Sequence, residues 1–249
     1  MKQKIILSKG CVVNMMELIK LEIRKNNLKP YLLGILGILL VGISIGVLFC
    51  ATPYLEPNNP AAQEFANPSL VITMISVITM STFSVLSAIM YSKIVIEEYT
   101  GKKNVLLFTY PQKRSNILLA KFLIIFTLIF VGLFTVNMVA IIGAGFISSL
   151  IGIISEPFND ISQMFRYSII FSFVANFIGL IALRIGFYKK SIIVPIVVAT
   201  ALSSPFGNAV MMMGDNSISV FLIAGAVLLL ISTFLFTGIL KKVNKMECV

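Results

Sequence analysis

The sequence predicts an all-α, polytopic membrane protein with six transmembrane helices and both termini in the cytoplasm. Three observations carry that reading. Six apolar runs, at about residues 31–51, 69–92, 118–145, 167–187, 191–211 and 217–240, are each long enough to cross a ~30 Å hydrocarbon core, which takes about 20 helical residues. Of the 20 Lys and Arg residues, all but Arg166 fall in alternate gaps between these runs or within about one turn of those gaps. The opposite gaps hold Glu56, Glu64, Glu156, Asp160 and Asp215. Cytoplasmic loops carry the Lys/Arg excess, so the basic gaps and both ends are assigned inside and the acidic loops outside. Composition agrees: the chain is 58% hydrophobic and 12% charged with a mean hydropathy of +0.99, against about 25% charged in a soluble domain.

The net charge of +10 is therefore a topology signal, with a contribution from anionic lipid, and not a nucleic-acid footprint. Cys11, Cys50 and Cys248 are scattered and form no CxxC, so no disulfide or metal framework is expected. Phe49 stands where a lipoprotein signal needs a small residue before Cys50. The first apolar run is too long for a cleavable signal peptide and reads as a signal anchor.

Residues 1–30 are polar and basic. Met16, Ile19 and Ile23 recur at helical spacing, as do Leu18, Leu21 and Leu28, with Glu17, Lys20, Glu22, Arg24 and Lys25 between them. This predicts an amphipathic helix on the inner membrane surface, closed by Pro30. Residues 31–240 form the transmembrane domain and 241–249 a cytoplasmic tail. The first outer loop, Thr52 to Pro68, contains four prolines and is a stiff connection, not a domain. The third apolar run is anomalous: from Ile117 to Ile154 it carries one charge, Lys121. As a helix it would extend ~55 Å, too long for one crossing and short for two. Gly143, Gly145 and Gly152 predict a break, with a span to about Ala144 and an interfacial segment beyond. A tight inner turn at 187–190 joins spans four and five, and an outer turn at 214–216 joins spans five and six.

The inner loop at 93–121 is the most informative local feature. Glu97 and Glu98 end the second span, and Gly101 allows a sharp break. Val105, Leu106, Leu107 and Phe108 form an apolar patch in a cytoplasmic loop. Pro111 stops it, Arg114 follows, and Ser115 is a suitable N-cap for the third span. On the residues alone two readings stay open: a short helix received by a partner's groove, or an interfacial helix in lipid headgroups.

This layout resembles the membrane subunit of type-2 ATP-binding-cassette exporters. The resemblance rests on a basic amphipathic N-terminal helix, two spans, a Glu-x-x-x-Gly step, an apolar patch, Pro-x-x-Arg, a restart ending in Ala120-Lys121, and four more spans. Glu97 or Glu98, Gly101, Leu107, Pro111, Arg114, Ala120 and Lys121 match, while Lys102 replaces the usual Thr and 110–113 departs from the usual core. The small size and short outer loops are closest to bacterial permeases for antimicrobial-peptide export or immunity. The resemblance implies a multi-pass protein of the bacterial plasma membrane. It makes the inner loop a coupling helix, with Glu97, Glu98, Gly101, Val105, Leu106, Leu107, Phe108, Pro111 and Arg114 contacting a separate ATPase subunit. The N-terminal helix becomes the connecting helix. The remaining implied partners are a second copy or similar permease and membrane lipid.

Absences narrow the reading. No Gly-x-x-x-x-Gly-Lys-Ser/Thr loop is present, so the chain is read as a non-enzymatic transport subunit that binds no cofactor, with ATP hydrolysed by its partner. There is no His, which removes His-dependent intramembrane metalloproteases. The spans lack midplane carboxylates of the kind used by proton- or sodium-coupled carriers. Arg184 lies one turn from the inner boundary and is expected to snorkel. Gly42, Gly46, Thr73, Ser76, Ser84, Ser87, Asn137 and Asn176 supply small and polar positions within the spans, read either as internal packing or as a dimer seam or substrate path. The expected function is ATP-driven export of an amphipathic or peptide-like substrate. A non-transporting scaffold or sensor that recruits a cytoplasmic partner, and a secondary transporter, are the alternatives.

Overall fold

A computed structural model describes residues 15–100, 114–152, 161–189, 191–213 and 217–244, and these contain helices and no strand. Helix α1 (Met15–Lys25) precedes α2 (Lys29–Leu55). Pro30 sits in the first turn of α2, where its missing N–H costs nothing, so it opens the span and does not close α1 as expected. The connection after α2 is compact. Asn59 caps α3 (Pro60–Gln63) by accepting from the Ala61 N–H at 3.1 Å, and Asn67 caps α4 (Pro68–Tyr91) by accepting from the Ser69 N–H at 3.1 Å. A π-helical turn, Ser92–Ile96, continues α4 into the short α5 (Glu97–Thr100).

Helix α6 (Arg114–Leu150) is continuous over 37 residues, which corrects the expected break near Ala144. The glycines cost ~1 kcal/mol each in helix propensity, but a break at membrane depth leaves backbone groups that lipid cannot satisfy. Gly143 also lies against Ile43 of α2. The helix ends instead near Gly152, whose φ of 79° only glycine adopts freely. At its other end Ser115 lies inside the helix and not at its cap. Helices α7 (Ile161–Lys189), α8 (Val194–Met213) and α9 (Ser217–Asn244) complete the fold.

Among the described residues, five helices are long and apolar enough to cross a membrane: Lys29–Leu55, Pro68–Ile96, Asn116–Leu150, Ile161–Lys189 and Ser219–Ile239. The sixth expected span corresponds to α8, whose apolar stretch Val194–Phe206 is shorter than the others. Helices α4 and α7 are buried along most of their length and form the centre. They pack on each other, with α6 and α8 beside them. Helix α2 covers α6 and α4 on one flank, α9 covers α7 on the other, and α1 lies against α6. The core holds Met80, Phe83, Ile129, Phe171, Ile178 and Ala182, all without exposure.

Candidate functional site: a charged junction beneath the inner loop

Lys121 is the one charge in a long apolar run, and its side chain is 0% exposed. An ammonium group carries three donors, and the fold supplies three acceptors. Lys121 Nζ pairs with Glu98, lies 3.4 Å from Glu22 Oε2, and donates to the Ile94 carbonyl oxygen at 3.0 Å. Lys25 pairs with Glu98 from the opposite side. Asn26 Nδ2 donates to Glu22 Oε2 at 3.1 Å. Two cations therefore face two carboxylates, and the cluster is neutral.

Each partner comes from a different element, and the local sequence explains how. On α1, Leu18, Glu22 and Lys25 recur at i, i+4 and i+7 and so share one face. Leu18 and Glu22 are buried against the body of the protein. Glu98 is brought inward by the π turn, which re-aims the end of α4 and places the Ile94 carbonyl by Lys121. Lys121 lies two turns into α6. Glu98 and Lys121, on the helices that flank residues 101–113 in the chain, are thus paired to each other and to α1. The cluster fixes α1, α5 and α6 as one mechanical unit, because Lys121 and Glu98 are buried charges that depend on each other and on α1.

Gly101, Val105, Leu106, Leu107, Phe108 and Pro111, and the side chain of Arg114, lie outside the described residues. Glu97 is half-buried beside the junction. The intramembrane positions fall into two groups. Gly42 and Gly46 face inward: a Cβ on Gly42 would stand 3.3 Å from Ala140 Cβ, and one on Gly46 would stand 2.6 Å from Ala144 Cβ and 2.8 Å from Ile75 Cδ1. Thr73, Ser76, Ser84, Ser87, Asn137 and Asn176 are all buried in the subunit. Asn137 joins three helices: its Nδ2 donates to Ser76 Oγ at 3.1 Å and Ser168 Oγ at 3.0 Å, and its Oδ1 accepts from Thr79 Oγ1 at 3.1 Å. Thr73 and Ser84 donate to their own helix at the carbonyls of Ser69 and Met80. Ser87 Oγ, Tyr91 OH and Asn176 Oδ1 are buried without a partner. Ser87 and Tyr91 face Gly179, one turn beyond Asn176, on the seam between α4 and α7.

Sequence reasoning missed Glu22 and Lys25 as partners of Lys121, and Thr79 and Ser168 as partners of Asn137. The isolation of Lys121 was a usable signal, because a lone buried cation must find carboxylates somewhere. Ser168, Ser172 and Asn176 recur at i, i+4 and i+8, which marks a polar face on α7.

The fold and the junction define a multi-pass helical membrane protein, of the plasma membrane in bacteria, whose helices α1, α5 and α6 are clamped together at one point. The chain belongs to the ABC-2 family of transporter proteins: the model described as "ABC-2 family transporter protein" matches residues 18–207. That interval runs from the first buried residue of α1 into α8 and contains the whole junction. A Bacillus subtilis (strain 168) protein, "Uncharacterized protein YcbO", is 27% identical over 179 residues, covering 71% of this chain and 77% of its own length. No solved structure matches.

Proposed function

We propose that this chain is the permease subunit of an ATP-driven exporter, with six spans and both termini in the cytoplasm. It works with a separate ABC ATPase and with a second copy or a similar permease. The cargo is an amphipathic or peptide-like molecule moved out of the cell or the membrane. The observation that carries this reading is the Glu22–Lys25–Glu98–Lys121 junction. Movement generated in a soluble ATPase has to enter the membrane through a cytoplasmic contact. A loop clamped at both flanks, to the N-terminal helix and to two central helices, transmits displacement instead of absorbing it.

The α4–α7 seam is the internal path in this proposal. An unpaired buried polar group costs ~1–3 kcal/mol, so Ser87, Tyr91 and Asn176 bias this packing toward parting. Parting α4 from α7 hydrates all three. The described spans offer hydroxyls and amides at depth, with no carboxylate, which suits a cargo carried by packing more than by proton exchange.

Co-purification tests the partner. With a candidate ABC ATPase co-expressed, Leu107→Asp should leave membrane abundance intact and weaken ATPase capture at least about tenfold, the equivalent of ~1.5–3 kcal/mol of lost apolar burial. Wild-type capture and transport in that variant would remove the coupling role of the loop.

A further inference from the structure

We infer that the groove between α1, α2 and α6 holds one acyl chain of an anionic phospholipid, whose headgroup phosphate rests on Lys20, Arg24 and Lys29. This inference does not depend on the transport reading.

The groove has a volume of about 570 Å³ and is walled by Ile19, Ile23, Leu32, Leu123, Thr127 and Val131 among others. Its walls offer no polar recognition. Thr127 Oγ1 is already donated to the Leu123 carbonyl at 2.7 Å, and Thr135 Oγ1 to the Val131 carbonyl at 2.8 Å. The occupant is therefore hydrocarbon. Along α6 the groove runs from Leu123 to Thr135, ~18 Å at 1.5 Å per residue, about one leaflet of a ~30 Å core.

Charge selects the headgroup. Lys20 and Arg24 on α1 and Lys29 at the start of α2 are exposed. Lys20 and Arg24 each follow a groove-lining isoleucine, Ile19 and Ile23, and Lys29 follows Leu28, which also lines it. Glu17 is the exposed acid on α1, and Glu22 is turned into the junction. Three cations against one exposed carboxylate beside an apolar groove complement a phosphodiester anchored by its tail. Each such cation contributes about fivefold in affinity for an anionic lipid surface. The same helix supplies Lys25 and Glu22 to the junction, so the lipid fastens α1 in the position the junction requires.

Native mass spectrometry of the purified full chain, released from nanodiscs of equal phosphatidylglycerol and phosphatidylcholine, tests this. The wild type should retain one phosphatidylglycerol in at least about tenfold preference. Lys20→Gln/Arg24→Gln/Lys29→Gln should abolish the preference while a lipid stays bound. The charge-conserving Lys20→Arg/Arg24→Lys/Lys29→Arg variant should keep it. Thr127→Trp, at an exposed position, should fill the groove and lower retention of both lipids. Equal retention of the two lipids by the wild type, or an unchanged preference in the glutamine variant, overturns the proposal. So does efficient Val131→Cys cross-linking between two copies, which would give the groove to a second subunit.

Discussion

Lys121 shows how an ionisable side chain survives at zero exposure in this protein: every one of its three donors has an acceptor. The cost of burying it appears when a partner is lost. Lys121→Met leaves Glu22 without its cation and Glu98 with only the half-exposed Lys25, and breaking a buried pair in this way costs ~3–5 kcal/mol. The expected result is a large drop in thermal stability in detergent. Lys121→Met combined with Glu98→Gln should recover part of it, with a coupling of about 0.5–3 kcal/mol in a double-mutant cycle. Additive losses would show that the two side chains do not interact. Glycine positions separate in the same way by what surrounds them. Gly46→Leu drives a side chain into Ala144 and Ile75 and should destabilise by ~1–3 kcal/mol. Gly37 has nothing within 4 Å of an added Cβ, so Gly37→Ala should be neutral or stabilising by thermal shift. The motif Gly42-x-x-x-Gly46 was legible as a close-contact site. Its partners were not, because a sequence says that a helix approaches and not which one.

At the scale of elements, α4 and α7 have two distinct polar registers. Toward Ser76 and Ser168 the seam is fully hydrogen-bonded through Asn137, and toward Ser87, Tyr91 and Asn176 it is not. The first register should hold the helices together and the second should let them part. Ser87→Ala combined with Tyr91→Phe removes two unsatisfied groups without changing shape much. It should raise the melting temperature and lower ATPase turnover in the assembled transporter. A variant with higher stability and unchanged turnover would leave the seam a purely structural interface. Helix α6 carries the other element-scale lesson. Its glycines predicted a break that lipid forbids, while the neighbouring α2 covers Gly143. The amphipathic helix at the N-terminus was legible from its period. Its orientation was not, because two apolar stripes compete and a buried glutamate decides between them.

For the whole molecule, the charge asymmetry predicts that positions 2, 103, 189 and 245 are cytoplasmic and that 56, 156 and 215 are outside. Single-cysteine labelling of intact cells, in a background without the native cysteines, checks this. External labelling at position 103 or 189 would overturn the topology. The purified subunit alone should show no nucleotide hydrolysis above a contaminant control, since its sequence has no phosphate-binding loop.

The sequence by itself determined the class of this protein. Composition, run length and the sidedness of Lys and Arg are properties of the chain in a bilayer, and they need no knowledge of which helix touches which. The resemblance to type-2 ATP-binding-cassette permeases likewise needed no contacts: it was carried by the layout of nearly the whole chain and by Glu97 or Glu98, Gly101, Leu107, Pro111, Arg114, Ala120 and Lys121. Only the tertiary structure decided the pairings. Lys121 meets Glu22 across about a hundred residues, and Asn137 meets Ser76 and Ser168 on two other helices. Inside a membrane the apolar surfaces of all helices are alike to lipid, so helix order is set by a few small and polar contacts whose partners lie far apart in the chain.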